Sequence, residues 1–279
     1  MPELPEVETV CRGLAKALEG ARITEARAHR ADLRMPLPKD LAARLKGRRV
    51  LKIRRRAKYI LIDLDKGETL ILHLGMSGRM VVSRKTAPPG KHDHLVFRFS
   101  NGAVVHFNDP RRFGMCDLVP TKELQNYKLL RHLGIEPLGD ELTPEFLAAK
   151  FKGKKTSIKA ALLDQEIVVG VGNIYACEAL FYAGISPKRM AGKCKKEELE
   201  RLVPAIRKVL TAAIKAGGSS LRDYVQSDGE LGYFQHHFAV YGRTGKPCPG
   251  CVCDIKKTKG IRRIPQGGRS SFYCPVKQV

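Results

Sequence analysis

The chain has 279 residues, enough for two or three modules that each bury a core. Its 51 basic and 28 acidic residues give a net charge of +23. This charge favours a polyanionic partner, with nucleic acid as the first candidate and a ribosomal role or a general solubility charge as alternatives. No apolar run reaches the length of a membrane span, and the opening MPELPEVETV lacks the pattern of a signal peptide.

The first part of the chain predicts one helix followed by strands. Apolar residues recur at helical spacing from Val7 to Leu18, and Gly20 is a typical stop. Strand patterns follow at 50–64, 69–74, 80–83 and 95–107. The last of these is a hairpin that turns at Asn101-Gly102. We therefore expect a β-sandwich or barrel with one packed helix.

Beyond Pro120 the pattern becomes helical. The helical segments are predicted at 121–134, 143–151, 157–164, 173–183 and 195–215. A Gly/Ser-rich stretch at 217–234 separates them from a cysteine-rich tail. The overall expectation is an α+β multidomain chain, with a β-sandwich domain at 1–120, a helical domain at 121–235 and a small cysteine module at 236–279.

The N-terminal residues offer a nucleophile. If Met1 is removed, Pro2 presents a secondary amine, which reacts with an aldehyde-like carbon to give a charged iminium. Glu3 and Glu6 lie nearby in sequence to move protons. The alternative is an ordinary first helical turn, where proline and glutamate are both favoured.

Three further stretches carry groups suited to DNA. RRRAKYILIDL (54–64) places Lys58 in a strand, as a phosphate contact or as part of a solvated basic face. HLGMSGR (73–79) places Met76 on a glycine-rich turn, as an apolar wedge for a base stack or as a core residue. NDPRRFG (108–114) offers Arg111 and Phe113 to fill the gap left by a flipped base, or forms an ordinary turn.

The segment GVGN (170–173) lies between two helical patterns. No βαβ unit surrounds it, so we reject a dinucleotide fold. It predicts a tight turn into a helix that begins near Asn173, with backbone N–H groups aimed at an anion such as a DNA phosphate.

The tail resembles a zinc finger with one ligand missing. Cys248 and Cys251 form a Cys-x-x-Cys knuckle, and Cys274 begins a second one. Lys277 stands where a four-cysteine site has its last thiolate. Either Cys253 replaces that ligand, or the module is held by packing alone or is damaged.

Together these stretches resemble one family, formamidopyrimidine-DNA glycosylase, a bacterial bifunctional base-excision enzyme. The resemblance runs the whole chain, through PELPEVE, RRAKY, HLGMSG, NDPRRFG, LLDQ, GVGNIYA, GGSSLRDY, YGRTGKPCPGC and GGRSSFYCP. It implies an N-terminal β-sandwich, a helix–two-turns–helix domain and a C-terminal zinc-finger-like β-hairpin. It also implies excision of oxidised purines such as 8-oxoguanine from duplex DNA, followed by strand cleavage through β,δ-elimination.

The resemblance assigns catalytic roles along the chain. Pro2 attacks C1′ of the damaged nucleotide, Glu3 donates and shuttles protons, and Lys58 assists at the phosphate and in base release. Glu6 is a supporting residue, and Arg269 belongs to the catalytic machinery through its grip on a flanking phosphate.

The resemblance also assigns contacts with DNA. Met76, Arg111 and Phe113 occupy the space left by the flipped base, while Asn173 holds a flanking phosphate. The resemblance also counts Lys159 among the DNA-binding residues, as a supporting residue by its position. The loop 217–234 closes over the extruded base.

The resemblance further implies one Zn²⁺ ion, a monomer in the cytoplasm, damaged double-stranded DNA as partner, and no membrane or nucleotide cofactor. Two alternatives stay open at this point. The endonuclease VIII class shares the amine mechanism but prefers oxidised pyrimidines. A non-catalytic DNA-binding protein on the same scaffold would bind without forming a covalent adduct.

Overall fold

The computed structural model describes residues 1–84, 88–219, 232–250 and 253–279. The chain forms two compact units, one made of Met1–Arg131 and Ile214–Gln235 and the other of His132–Ala213 and His236–Val279. Across the described ranges, every helix is too short or too polar to cross a bilayer.

The first unit is built on two antiparallel sheets. Its strands are β1 (Ile23–Ala28), β2 (Val50–Arg56), β3 (Tyr59–Leu64), β4 (Glu68–His73), β5 (Arg79–Ser83), β6 (Asp93–Phe99), β7 (Val104–Asn108) and β8 (Met115–Pro120). One sheet has the order β2-β3-β4-β8 and the other β1-β6-β7-β5. Buried side chains of both sheets belong to one continuous apolar core, which confirms the predicted sandwich.

A long N-terminal helix, α1 (Leu4–Leu18), packs on this core. Its apolar residues lie on one face because they recur every three or four positions, and Leu4, Leu14 and Leu18 are all buried. The predicted hairpin is confirmed, since the Ala103 amide donates to the Asn101 side chain at 3.1 Å between β6 and β7. A short helix, α2 (Leu41–Leu45), was not predicted.

The later part of the chain is mainly helical. Its elements are α3 (Pro144–Phe151), α4 (Ile158–Leu163), α5 (Asn173–Ala183), α6 (Lys196–Lys215), α7 (Ile255–Thr258), β9 (Arg262–Gln266) and β10 (Arg269–Tyr273). The hydroxyls of Thr143 and Ser157 accept the Phe146 and Ala160 amides, which explains where α3 and α4 begin. β9 and β10 pair as the expected antiparallel C-terminal hairpin.

The helix predicted at 121–134 is wrong. Only a 3-10 helix, Thr121–Asn126, forms there, and Tyr127 adopts an extended ψ of 131°. The Tyr127 hydroxyl donates to the Asp117 carboxylate at 2.5 Å, which fixes the chain direction at that point. A contact outside the segment thus overrides its helical periodicity.

Candidate active site and nucleic-acid interface

The first turn of α1 gathers two carboxylates beside Pro2. Glu3 precedes the helix in an extended conformation, and its amide donates to Glu6 Oε2 at 2.9 Å. Both glutamates are buried, as is Pro2, whereas Met1 is exposed. Carboxylates are favoured here because they satisfy unpaired amides at the positive end of the helix. The local sequence therefore fixes acidic groups next to the candidate nucleophile.

Glu6 also holds the start of the Gly/Ser-rich stretch. Its Oε1 accepts from the Ser219 amide at 2.9 Å and from the Ser219 hydroxyl at 3.1 Å. Gly218 lies so close that an added Cβ would come within 3.1 Å of Glu6 Cγ. One buried carboxylate thus connects the N-terminal turn with residues 218–219. Residues 220–231 of the predicted capping loop lie outside the described part of the chain.

Lys58 was predicted to lie in a strand, but it lies in the turn between β2 and β3. Ala57 adopts a positive φ of 54°, which breaks the ladder. Arg55 holds this turn, because its Nε donates to Glu8 at 3.0 Å and its Nη1 donates to the Ala57 carbonyl at 3.0 Å. The Lys58 turn is therefore tied to α1, the helix that begins beside Pro2.

His73, at the end of β4, is a site residue that sequence reasoning missed. Its Nδ1 accepts from the Gly75 amide at 3.0 Å, and its ring faces Tyr59 with centroids 4.9 Å apart. Burial, with smaller contributions from the charges of Lys58 and Arg34, lowers the pKa of His73 to about 4. His73 is thus neutral at physiological pH and holds the first residues of the Met76 loop. Its position in HLGMSG was the only available signal.

The Met76 loop and the Arg111–Phe113 loop lie against each other. Gly75 has φ +62°, and a Cβ there would stand 2.3 Å from the Phe113 carbonyl carbon. Met76 and Phe113 are 37% and 44% exposed, large values for apolar side chains, and Arg111 is exposed as well. The Arg111 guanidinium lies 5.0 Å from the centre of the Phe113 ring. The fold therefore presents an aliphatic, an aromatic and a cationic side chain together.

In the second unit, the Lys159 side chain lies inside the fold. It is only 1% exposed, and Nζ donates to Ser271 Oγ at 2.6 Å and to the Ser270 carbonyl at 3.3 Å. The predicted supporting role of Lys159 in DNA binding stays a prediction. Lys159 supports β10, the strand that begins with the exposed Arg269.

Asn173 is the first residue of α5, which confirms the predicted turn into a helix. Its Nδ2 donates to the Ser270 carbonyl at 2.9 Å, so that it shares an acceptor with Lys159. These two side chains connect α4 and α5 to the strand after the hairpin turn.

Glu178, in the middle of α5, fixes the chain that leads into the cysteine module. Its carboxylate accepts from the amides of Ala239, Val240 and Tyr241 at 2.8, 3.0 and 2.8 Å. Burial raises the pKa of Glu178, an effect that the three hydrogen bonds oppose. Sequence reasoning missed the role of Glu178 as well.

Three cysteine sulfurs of the tail lie together. The Sγ atoms of Cys248, Cys253 and Cys274 are all within 4.8 Å of one another, with separations of 3.8 Å from Cys253 to Cys248 and 3.4 Å from Cys253 to Cys274. Four thiolates around zinc, each at about 2.3 Å, stand about 3.8 Å apart in a tetrahedron. The cluster has the donor type and spacing that a metal ion requires, and Cys253 takes part in it.

Lys277 is used elsewhere. Its Nζ lies 4.3 Å from the centre of the Phe181 ring, while its amide lies 3.4 Å from the Cys274 sulfur as a donor. Cys251, the other candidate ligand, lies outside the described residues. Cys253 is disulfide-bonded, so it can join a metal site as a thiolate only after reduction.

Two family models match the chain, and together they span most of it. They are the formamidopyrimidine-DNA glycosylase N-terminal domain over residues 1–116 and the H2TH domain of the same enzyme over residues 133–225. The chain belongs to the formamidopyrimidine-DNA glycosylase family. Membership of this family identifies it as a bifunctional DNA glycosylase and AP lyase.

Individual members of the family are similar over the full length. The formamidopyrimidine-DNA glycosylase of Ruegeria pomeroyi is 57% identical over 284 residues, which cover 98% of each chain. That of Cereibacter sphaeroides is 57% identical over 289 residues, which cover all of both chains.

Solved structures of glycosylases in this family share the fold. The MutM (FPG) protein of Thermus thermophilus superposes with a TM-score of 0.86 at 39% identity, covering 99% of this chain and 98% of that one. A Lactococcus lactis FPG mutant in complex with Fapy-dG DNA gives a TM-score of 0.90 at 34% identity, covering 99% of both chains.

Proposed function

We propose that the chain releases oxidised purines from DNA through an N-terminal proline amine. The observation that carries this proposal is the position of Pro2, beside the buried carboxylates of Glu3 and Glu6. Removal of Met1 converts the Pro2 nitrogen from an amide into a nucleophilic secondary amine. Relatives of matching length are formamidopyrimidine-DNA glycosylases, and neighbouring structures hold Fapy-dG DNA.

The reaction consists of base release, opening of the sugar ring and two eliminations. The lone pair of the Pro2 nitrogen forms a bond to C1′, and the base leaves with the electrons of its glycosidic bond and a proton supplied by Glu3. The attached Pro2 nitrogen then loses its proton, and its lone pair opens the sugar ring as O4′ takes up a proton, which gives a charged iminium. This cation acidifies the proton on C2′, whose loss expels the 3′-phosphate. A second proton loss expels the 5′-phosphate, so that the strand is cut on both sides of the sugar.

Lys58 and the exposed loops act on the DNA around the reacting sugar. Lys58 assists at the phosphate. The Arg55 contacts support this role, because they tie the Lys58 turn to α1, the helix that begins beside Pro2. Extruding a nucleotide costs stacking energy, and Met76, Arg111 and Phe113 offset that cost by filling the gap.

Arg269 and Asn173 act on the phosphates that flank the lesion. Arg269 is exposed at the first position of β10, and Lys159 supports that strand from within the fold. The net charge of +23 suits a protein that searches duplex DNA without sequence preference.

Once Cys253 is reduced, the tail would hold one zinc ion through Cys248, Cys251, Cys253 and Cys274. The short distances between the sulfurs support the three described ligands, and the spacing of the first knuckle supports the fourth. Bound zinc supplies a cross-link that stiffens the module, and Cys253 takes the place that Lys277 leaves without a thiolate.

The domain division follows from the same assignment. It consists of a catalytic β-sandwich at 1–120, a helix–two-turns–helix domain at 121–235 and a zinc-finger-like module at 236–279. The enzyme acts as a monomer on damaged duplex DNA in the cytoplasm, without a nucleotide cofactor.

Borohydride trapping on DNA that contains 8-oxoguanine tests the nucleophile. The untagged protein should form a covalent adduct, and Pro2→Gly should form far less, because a primary amine on a flexible glycine is a poorer match to the site. An N-terminal tag that stays attached should abolish the adduct in the otherwise native chain. Undiminished trapping by either form refutes the role of Pro2.

Two further outcomes separate the alternatives. Binding to lesion-containing duplex without any adduct indicates a non-catalytic DNA-binding protein. Faster release of an oxidised pyrimidine than of 8-oxoguanine indicates the specificity of the endonuclease VIII class.

A further inference from the structure

One buried carboxylate bonds to both DNA-facing loops of the first unit. Asp109 is fully buried; its Oδ1 accepts from the Ser77 hydroxyl at 2.6 Å and its Oδ2 accepts from the Gly114 amide at 2.7 Å. Ser77 follows Met76 in one loop, and Gly114 follows Phe113 in the other. Hydrogen bonds to an ionised acceptor are stronger than those between neutral groups.

The connection between the loops is closed by a second bond. The Ser77 hydroxyl oxygen accepts from the Arg111 amide at 3.2 Å. The same hydroxyl therefore accepts a hydrogen bond from the Arg111–Phe113 loop and donates one to the Asp109 carboxylate. Gly114 has no room for a side chain, because a Cβ would lie 2.9 Å from Asp109 Oδ2. The two loops are therefore joined through polar contacts and through their backbones.

Asp109 is itself held from the neighbouring strand. The His94 Nε2 lies 2.8 Å from the Asp109 carbonyl oxygen, and a carbonyl only accepts, so this nitrogen carries the hydrogen. The Asp109 amide donates to the His92 carbonyl at 2.9 Å. The backbone of Asp109 is thus fixed to the sheet, and its carboxylate orients both loops from that position.

We propose that Asp109 is a positioning residue that makes the two loops one rigid wedge. Met76, Arg111 and Phe113 then enter the base stack together. Separate short loops would each lose conformational entropy on insertion, whereas loops that are joined beforehand lose less. This inference rests on the proposed role of those three side chains in filling the gap.

The wedge matters for one kind of substrate and not for another. A damaged base in duplex DNA must be extruded from a stack before Pro2 reaches its sugar. An abasic site in a single strand has neither a base to extrude nor an opposite strand to support. Loss of Asp109 should therefore impair the first reaction selectively.

The experiment compares two activities of the same enzyme. Asp109→Ala should slow release of 8-oxoguanine from duplex DNA by about tenfold or more, since two hydrogen bonds to a charged group are lost. Borohydride trapping on single-stranded abasic DNA should stay within about threefold of the native rate. A 2-aminopurine beside the lesion should show a smaller fluorescence rise on binding, because less unstacking occurs.

Two further variants test whether the lost hydrogen bonds of Asp109 cause the loss of activity. Asp109→Asn should recover much of the lost activity, because its amide oxygen can accept from Gly114 and its amide nitrogen can donate to the Ser77 hydroxyl. Asp93→Ala is the matched control, since Asp93 accepts from Gly90, His106 and Asn108, none of which belongs to the Met76 loop or the Arg111–Phe113 loop. It should leave the ratio of the two activities unchanged.

The proposal is overturned by equal losses on both substrates, by an unimpaired Asp109→Ala enzyme, or by an Asp109→Asn enzyme no better than Asp109→Ala. If Asp109→Ala does not fold, Ser77→Ala removes one of the two bonds to Asp109 together with the bond from the Arg111 amide, and it must shift the same ratio in the same direction. A native enzyme inactive on both substrates refutes the proposed function instead.

Discussion

Neutral His73 makes the first unit sensitive to acid. Burial lowers the pKa of His73 from its ordinary value of 6.5 to about 4. Between these values the unfolded chain binds the proton more tightly than the folded chain does. The stabilising contribution of the neutral ring is therefore complete above pH 6.5 and declines as the pH falls towards 4.

The size of the effect follows from the two pKa values. Between about pH 7.5 and about pH 5, linkage predicts a loss of about 2 kcal/mol in the free energy of unfolding. His73→Gln removes the titration and keeps an oxygen that can accept the Gly75 amide. The stability advantage of the native chain over this variant should therefore shrink by about 2 kcal/mol over that pH interval.

The assay is urea unfolding of both proteins at the two pH values, followed by circular dichroism and tyrosine fluorescence. The two units can unfold separately, so the transition is assigned by its coincidence with loss of the β-sheet signal. His29→Gln is the matched control, because the His29 side chain is exposed. A difference between native chain and His73→Gln that stays constant with pH refutes the reasoning.

Two more predictions concern the second unit. Lys159→Met should weaken binding to undamaged duplex DNA, because β10 and Arg269 lose their support. The slope of log affinity against log salt concentration should fall by about one unit. Affinity measured over a salt series checks this, and Lys196→Met, at an exposed lysine, is the control. After reduction, the purified chain should contain about one zinc per molecule by mass spectrometry, and Cys253→Ser should lose it. Full zinc in Cys253→Ser would exclude Cys253 as a ligand, and an unchanged salt slope in Lys159→Met would exclude its supporting role.

Sequence patterns were sufficient to predict the helices and turns that depend on residues close together in the chain. The helix from Leu4, the hairpin around Asn101 and the start of α5 at Asn173 all agree with periodicity or turn chemistry. These features depend on residues within a few positions of one another, so a single stretch contains the necessary information. The order of short motifs along the chain was likewise sufficient to identify the family.

Tertiary structure alone decided which polar groups serve the site. Lys159 and Ser271 are 112 residues apart, and Ser77 and Asp109 are 32 apart, yet each pair forms a buried hydrogen bond. A lysine or an aspartate has the same local pattern whether it faces solvent or is buried. Only the packing of distant segments shows which buried charge has a partner, because an unpaired one would cost too much to keep.

The cysteine tail shows the same division. Its sequence showed that Lys277 cannot supply a thiolate, but it did not decide whether Cys253 points towards Cys248 and Cys274. The folded chain places these sulfurs within 4.8 Å of one another, while Lys277 packs over Phe181. Spacing along a chain limits which residues can meet at a metal, and the path of the backbone between them decides which ones do.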